Sequence, residues 1–438
     1  MRAAARLLST SSVTLAICVT LAATAAAAPG ELDPAFSHDG YAVTSFQDSY
    51  SVATDLALQP DGRLVVVGPV HGNGTIVSDL GIARYTEAVR LDRTFSTNGK
   101  RRVDLDGAYD QATAVAVQPD GGIVIVGTSG GVVAVVRLTP DGSLDDSFSG
   151  NGSRLLDAAA MATVTDVALQ TDGRIVIAGS DGPDFALARL RPRGRLDATF
   201  GTRGSVHTDF AGYGDAATTV AIAPDGGIVA AGWATVVPEQ RNDFALVRYL
   251  PGGAPDPAFG DGGLVTTDFA AWEDTITDIA LESSGAIVAA GQASQEPGGA
   301  DQSSDVALAR YLVGGELDED FGDAGTTTTD FGSYFDQAHG VALQTDGKIV
   351  LSSHRYEDGQ RTASVARYET GGDLDGSFGE GGIADTGLPV SGDEVGGVVV
   401  DPDGAIVSVT AAQVPADIGT SFAFLVLRLH STAGVTGT

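Results

Sequence analysis

Carboxylates at two recurring positions are the residues of this chain best suited to chemistry. Asp104, Asp157, Asp209, Asp268, Asp330 and Asp385 each close a short strand-like segment, and Asp110, Asp215, Asp274, Asp336 and Asp393 each lead into the next. Hard, charged oxygens gathered near one opening suit a divalent cation, and an all-oxygen donor set favours calcium. Asp110, Asp215, Asp274, Asp336 and Asp393 are therefore the candidate metal ligands. The spacing also has a plainer explanation, because an aspartate side chain caps a turn by accepting backbone N–H groups. Neither a D-x-D-x-D-G loop nor a G-G-x-G-x-D array is present, so capping is the stronger reading and calcium is the cofactor that would fit if any does.

Other chemistry is thinly supplied. His38, His71, His207, His339, His354 and His430 form no HExxH and no ligand-spaced pair, which argues against zinc. His339 and His354 share one repeat with Asp336 and come nearest to an acid–base group. Gly127-Thr128-Ser129-Gly130-Gly131 ends a strand and reads as a turn. Cys18 is the one cysteine and falls in the N-terminal apolar run, so the rest of the chain can hold no disulfide, thiolate metal site or cysteine nucleophile. With 57 acidic against 25 basic residues the formal charge is −32, which disfavours nucleic acid and anionic membrane as partners.

The elements that carry these residues come from a repeat. LDPAFSHDG at 32–40 returns as LDRTFSTNG, LDDSFSGNG, LDATFGTRG, PDPAFGDGG, LDEDFGDAG and LDGSFGEGG, with Phe36, Phe95, Phe148, Phe200, Phe259, Phe321 and Phe378 about 52 to 62 residues apart. Between these anchors each repeat has four strand-like segments, clearest as TDVALQ (165–170), RIVIAG (174–179), DFALARL (184–190) and GSVHTDF (204–210). No helical period appears, so the chain is all β. The second segments are apolar at successive positions, as required of small sheets buried on both faces. In DFALARL, Phe185 and Leu187 face one way and Ala186 and Ala188 the other, so large residues pack against small ones across neighbouring sheets.

The turn in RLTPDGSLD sets Leu138 opposite Leu144 and Arg137 opposite Asp145. The same offset joins Arg84 to Asp92, Arg189 to Asp197, Arg248 to Asp256, Arg310 to Asp318 and Arg367 to Asp375. These pairs read as register-fixing ion pairs, because an arginine sharing a face with buried Phe and Leu needs a counter-charge. Arg428 has no such acid after it, and Asp33 has no such arginine before it. We therefore expect a strand at about 40–46 to complete the last sheet, closing a seven-bladed β-propeller of four-stranded antiparallel blades over residues 30–430. Residues 1–28 read as a cleaved signal peptide and 431–438 as a flexible tail. The chain would then be secreted or held at the cell surface as a monomer, with no membrane insertion after cleavage.

The unit V-A-L-Q-x-D-G-[RK]-I-V-x-A-G, followed by D-F-A-L-A-R-[YL] and L-D-x-x-F-G-x-x-G, resembles the bacterial delta-60 repeat family over residues 32–430. Glu282-Ser283-Ser284-Gly285 departs from the usual Gln-Pro-Asp-Gly, and Thr86 to Val89 from the Pro-Asp-Gly hairpin. The resemblance implies an exported propeller and brings no catalytic residue or ligand with it.

In such a meander the first and third turns of every blade share one face, and the second turns share the other with the connections between blades. The second turns vary most in length and content, and variable loops on a rigid scaffold are where binding resides. Trp233, Arg241, His354, Arg355 and Tyr356 are the binding candidates there. The expected function is a binding or interaction module for a protein or glycan. The alternative is a hydrolase or lyase with an acidic site at the channel mouth.

Overall fold

The computed structural model describes residues 27–46, 50–72, 77–88, 90–105, 109–157, 160–237, 241–269, 272–294, 303–333, 335–357, 359–415 and 420–432. The segment read as a signal peptide, up to residue 26 and including Cys18, lies outside the described residues. So do 433–438 of the tail, 238–240 and 295–302 of the second turns, and the Asp393 side chain.

Among the described residues every regular element is a strand. β1 is Tyr41–Thr44. The first unit then holds β2 (Asp55–Leu58), β3 (Leu64–His71), β4 (Ser78–Tyr85) and β5 (Lys100–Val103). The second holds β6 (Asp110–Val117), β7 (Ile123–Ser129), β8 (Val132–Leu138) and β9 (Ser153–Leu155), and the third β10 (Thr163–Leu169), β11 (Ile175–Ser180), β12 (Phe185–Leu190) and β13 (Ser205–Thr208). The fourth holds β14 (Asp215–Ile222), β15 (Ile228–Val237), β16 (Arg241–Tyr249) and β17 (Leu264–Thr267), and the fifth β18 (Glu273–Leu281), β19 (Ile287–Ser294), β20 (Ser304–Tyr311) and β21 (Thr326–Thr329). Next come β22 (Gly340–Leu343), β23 (Ile349–Glu357), β24 (Gln360–Tyr368), β25 (Ile383–Val400), β26 (Ile406–Pro415) and β27 (Thr420–Leu429). Successive strands within a unit pair antiparallel. β25 does double duty: its start pairs with β24 and its end with β26, so two units expected to be separate run into one sheet. A single parallel bridge, Asn242↔Glu273, likewise joins the fourth unit to the fifth.

The strands form where β-branched and other apolar residues cluster, and they end where Pro-Asp-Gly and its variants force a turn. At Gly142 the turn requires φ of +88°, and a Cβ there would meet the Phe95 ring at 2.7 Å. The second strands are buried on both faces, as β11 is from end to end. Phe185 and Leu187 pack with the fourth unit while Ala186 and Ala188 pack with the second. First strands touch their neighbours in the order β2, β6, β10, β14, β18, β22, β25 and again β2.

Arginines stitch the units together. Arg137 meets Asp145 at 2.7 Å, and its guanidinium also donates to the Pro192 carbonyl of the next unit and lies over the Phe148 ring at 4.9 Å. Arg84, Arg189 and Arg367 repeat all three contacts, reaching the carbonyls of Pro140, Pro251 and Ser431. Arg248 and Arg310 keep the ion pairs with Asp256 and Asp318.

The first and last of the described strands meet in the expected register. β1 pairs antiparallel with β27, setting Tyr41 opposite Leu427 and Thr44 opposite Phe424, and Arg428 reaches Asp33 at 3.3 Å. Asp33 accepts the Ala35 N–H as Asp145 accepts that of Ser147, both at 2.9 Å. Asp33→Ala and Asp145→Ala should therefore each cost about 1–3 kcal/mol in urea unfolding. If Asp33→Ala proved neutral while Asp145→Ala did not, this contact would not be stabilising the joined ends.

Candidate functional site

One face carries the second turns and the connections between units, and there the two aspartate columns meet a third. The second or third residue of a third strand, or the residue just ahead of it, brings Asp79, Asp184, Asp243 or Asp305 beside the closing and leading aspartates. The resulting groups are Asp79–Asp104–Asp110, Asp184–Asp209–Asp215, Asp243–Asp268–Asp274 and Asp305–Asp330–Asp336, in each of which one oxygen per residue lies within 4.8 Å of the others. Among the described residues the candidate ligands Asp110, Asp215, Asp274 and Asp336 thus belong to separate clusters, one at each of four seams, instead of one ring around a common mouth.

The leading aspartates are buried and hold the incoming connection. Asp110 accepts the Leu105 N–H at 2.7 Å, Asp274 that of Phe269 at 2.8 Å and Asp336 that of Phe331 at 2.6 Å. Asp215 uses both oxygens, taking the Phe210 N–H at 3.1 Å and the Phe185 N–H of the preceding unit at 2.6 Å. Asp336 also uses both, its Oδ1 accepting the Ser333 hydroxyl. The Oδ1 atoms of Asp110 and Asp274 are buried and meet no donor. Burial pushes these carboxyls up, with neighbouring carboxylates adding to it: Asp274 to about 7, Asp215, Asp243 and Asp336 to about 6.

Aromatic rings stand beside the clusters. Tyr109, Tyr213 and Phe335 lie one or two residues ahead of Asp110, Asp215 and Asp336, Tyr50 precedes Ser51 in the first unit, and all four are 41 to 49% exposed. Trp272 occupies the same place in the fifth unit, with the Arg241 guanidinium 4.9 Å above its ring. His71 sits between Tyr50 and Tyr109, with ring centroids 5.2 and 5.7 Å away.

The five binding candidates do not converge. Arg241 opens β16 beside Trp272, whereas Trp233 is a half-buried strand residue between Ala216 and Phe244. His354 is corrected: β23 runs on to Glu357 and turns back at once, so His354 is a buried strand residue 3.0 Å from His339 and not a loop contact. Burial drives the His339 ring down to about 3. Asp336 engages Phe331 and Ser333 instead, which breaks up the acid–base group suggested by the sequence. Arg355 is half-buried on a cleft of about 630 Å³ between the start of β25 and residues 28–32, and Tyr356 is exposed.

A further group lies in the middle of the molecule. Asp55, Asp166 and Asp278 occupy one column of the first strands, filled elsewhere by Ala114, Thr219, Gly340 and Gly397. Each reaches the next unit, accepting the Val115, Val220 and Val341 N–H at 2.7, 2.7 and 2.9 Å. The Thr219 hydroxyl stands 3.0 Å from Asp166 and 3.2 Å from Asp278. Burial, reinforced by the neighbouring Asp166 carboxylate, lifts Asp278 to about 7 and Asp55 well above its usual range; burial also raises Asp166.

Residues 118–148, 170–200, 223–259 and 344–378 match a family described as a domain of unknown function (DUF5122) beta-propeller. Each match runs from the end of a first strand to the phenylalanine of the recurring phrase. No curated protein matches the chain. Among solved structures it is similar to a virginiamycin B lyase from Staphylococcus aureus (11% identity, 88% of this chain and 99% of that one, TM-score 0.46). It is also similar to the polysaccharide lyase Uly1 (13%, 86% and 90%, 0.49) and to the extracellular domains 1-2 of Drosophila Semaphorin 1b (10%, 92% and 88%, 0.47).

Proposed function

We propose that this chain is an exported seven-bladed propeller, closed by β1, that binds a glycan through the face bearing the aspartate clusters. The cyclic order of contacts among first strands and the Asp33–Arg428 pair support closure. The observation that carries the binding reading is the recurrence of exposed Tyr109, Tyr213 and Phe335, with Trp272, each one or two residues from a clustered aspartate. Aromatic faces cover the apolar side of a sugar ring, and carboxylates accept its hydroxyl protons. A net charge of −32 points to neutral or basic sugars.

One observation favours a hydrolase or lyase as the second reading: Asp274, with its proton held to about pH 7, lies against two further carboxyls and could serve as a general acid. Repetition of the cluster at four seams weighs against a single active centre. A neutral-glycan array followed by calorimetry separates the readings. Tyr213→Ala and Trp272→Ala should each weaken binding by about tenfold, the scale of one lost aromatic contact, with unchanged melting temperature. Binding unaffected by both substitutions, or a protein as the sole ligand, would overturn the glycan reading; cleaved product would favour the second.

A further inference from the structure

We propose that Asp243, Asp268 and Asp274 form a calcium site at the seam between the fourth and fifth units. This inference stands apart from glycan binding, since it concerns what the face holds in the absence of any sugar.

An acidic cluster alone is weak grounds, and four such clusters exist here. What singles this one out is the Oδ1 atom of Asp274: the residue is fully buried, its Oδ2 holds the Phe269 N–H, and Oδ1 has no donor. A buried, unsatisfied carboxylate oxygen is costly unless a proton or cation meets it. In the Asp215 and Asp336 clusters both oxygens of the leading residue are occupied. In the Asp110 cluster an oxygen is again free, but Arg102 already pairs with Asp79 at 2.7 Å. At the fourth seam the nearby cation, Arg241, stacks over Trp272 and acts on Asp243 by its charge, and among the described residues it makes no ion pair to the cluster of the kind Arg102 makes with Asp79.

The geometry suits calcium. Three oxygens within 4.8 Å of one another share a point no more than about 2.8 Å from each, close to the 2.3–2.6 Å of calcium–oxygen bonds and too open for magnesium. The ligands come from three strands: Asp243 from β16, Asp268 just past β17, and Asp274 from β18. An ion here would fasten the outer part of one unit to the first strand of the next.

Trp272, two residues from Asp274, supplies a local reporter. Protein freed of metal by chelator is titrated with terbium chloride, following tryptophan-sensitised emission, and with calcium chloride by calorimetry. We expect calcium uptake, terbium emission that calcium quenches by displacement, and a fall in that emission in Trp272→Phe while calorimetric uptake persists, with Trp233, which stands opposite Phe244, supplying the remainder. Asp274→Asn and Asp268→Asn should each lower calcium affinity by at least about tenfold, whereas Asp141→Asn on the opposite face should not. Asp268 is exposed, so its variant keeps the test open should Asp274→Asn fail to fold by circular dichroism. No calorimetric uptake at millimolar calcium, or unchanged affinity in Asp268→Asn, would overturn the site.

Discussion

A chain shortened through Phe46 is expected to lose its cooperative unfolding transition. The removed segment supplies β1 to β27 and places Phe36 and Phe46, 0% and 3% exposed, in a core shared with Val66, Val409 and Phe424. Truncating one buried phenylalanine costs about 3–5 kcal/mol, so losing two approaches the about 5–15 kcal/mol that holds an ordinary domain together. The cut also removes Asp33 from Arg428 and the Pro29 carbonyl from the Gly379 N–H. Calorimetry against the uncut chain decides it. A sharp transition at an unaltered temperature would show that the first strand is an accessory.

Asp278→Asn is expected to match the parent protein below about pH 4 and to exceed its stability near pH 8 by roughly 4 kcal/mol, the gap opening between those values. Asp278 keeps its proton up to about pH 7 when folded but releases it near its ordinary value of 3.8 when unfolded. Between those limits the folded chain binds more protons, so stability is full below the lower limit and is lost as pH rises through the upper one. Asparagine stays neutral and can still accept the Val341 N–H. His339, driven down to about 3, acts in the opposite sense between about 3 and 6.5, but it is common to both chains and cancels from the comparison. Urea midpoints at several pH values are the measurement, and parallel curves for the two proteins would refute the assignment.

The repeat made the strand order and register legible, because a covalent spacing of eight residues is also a spatial pairing across a hairpin: Arg137 with Asp145, and even Arg428 with Asp33. The site was legible in two of its three columns. Asp184 stood in full view inside DFALARL, but nothing local says that a third strand opens against the seam where Asp209 and Asp215 arrive. The aromatic column escaped for a related reason: Tyr109 and Tyr213 lie at slightly different distances from the leading aspartate, so no fixed spacing announces them. The central carboxylates alternate with Ala, Thr and Gly, and their kinship appears only when first strands converge. His354 was misplaced because the hydrogen-bonded extension of β23 opposite β24 pairs Arg355 with Thr362, a choice that a polar stretch does not reveal.

The joining of the two termini also sets an order of assembly. Asp33 is made well before Arg428, so the sheet that contains both must wait until the strand carrying Arg428 has emerged, while the units between them can condense as they appear. Until then the edge of β1 and the rings of Phe36 and Phe46 have no covering, and a nascent chain cut short before β27 would keep that adhesive strip for life.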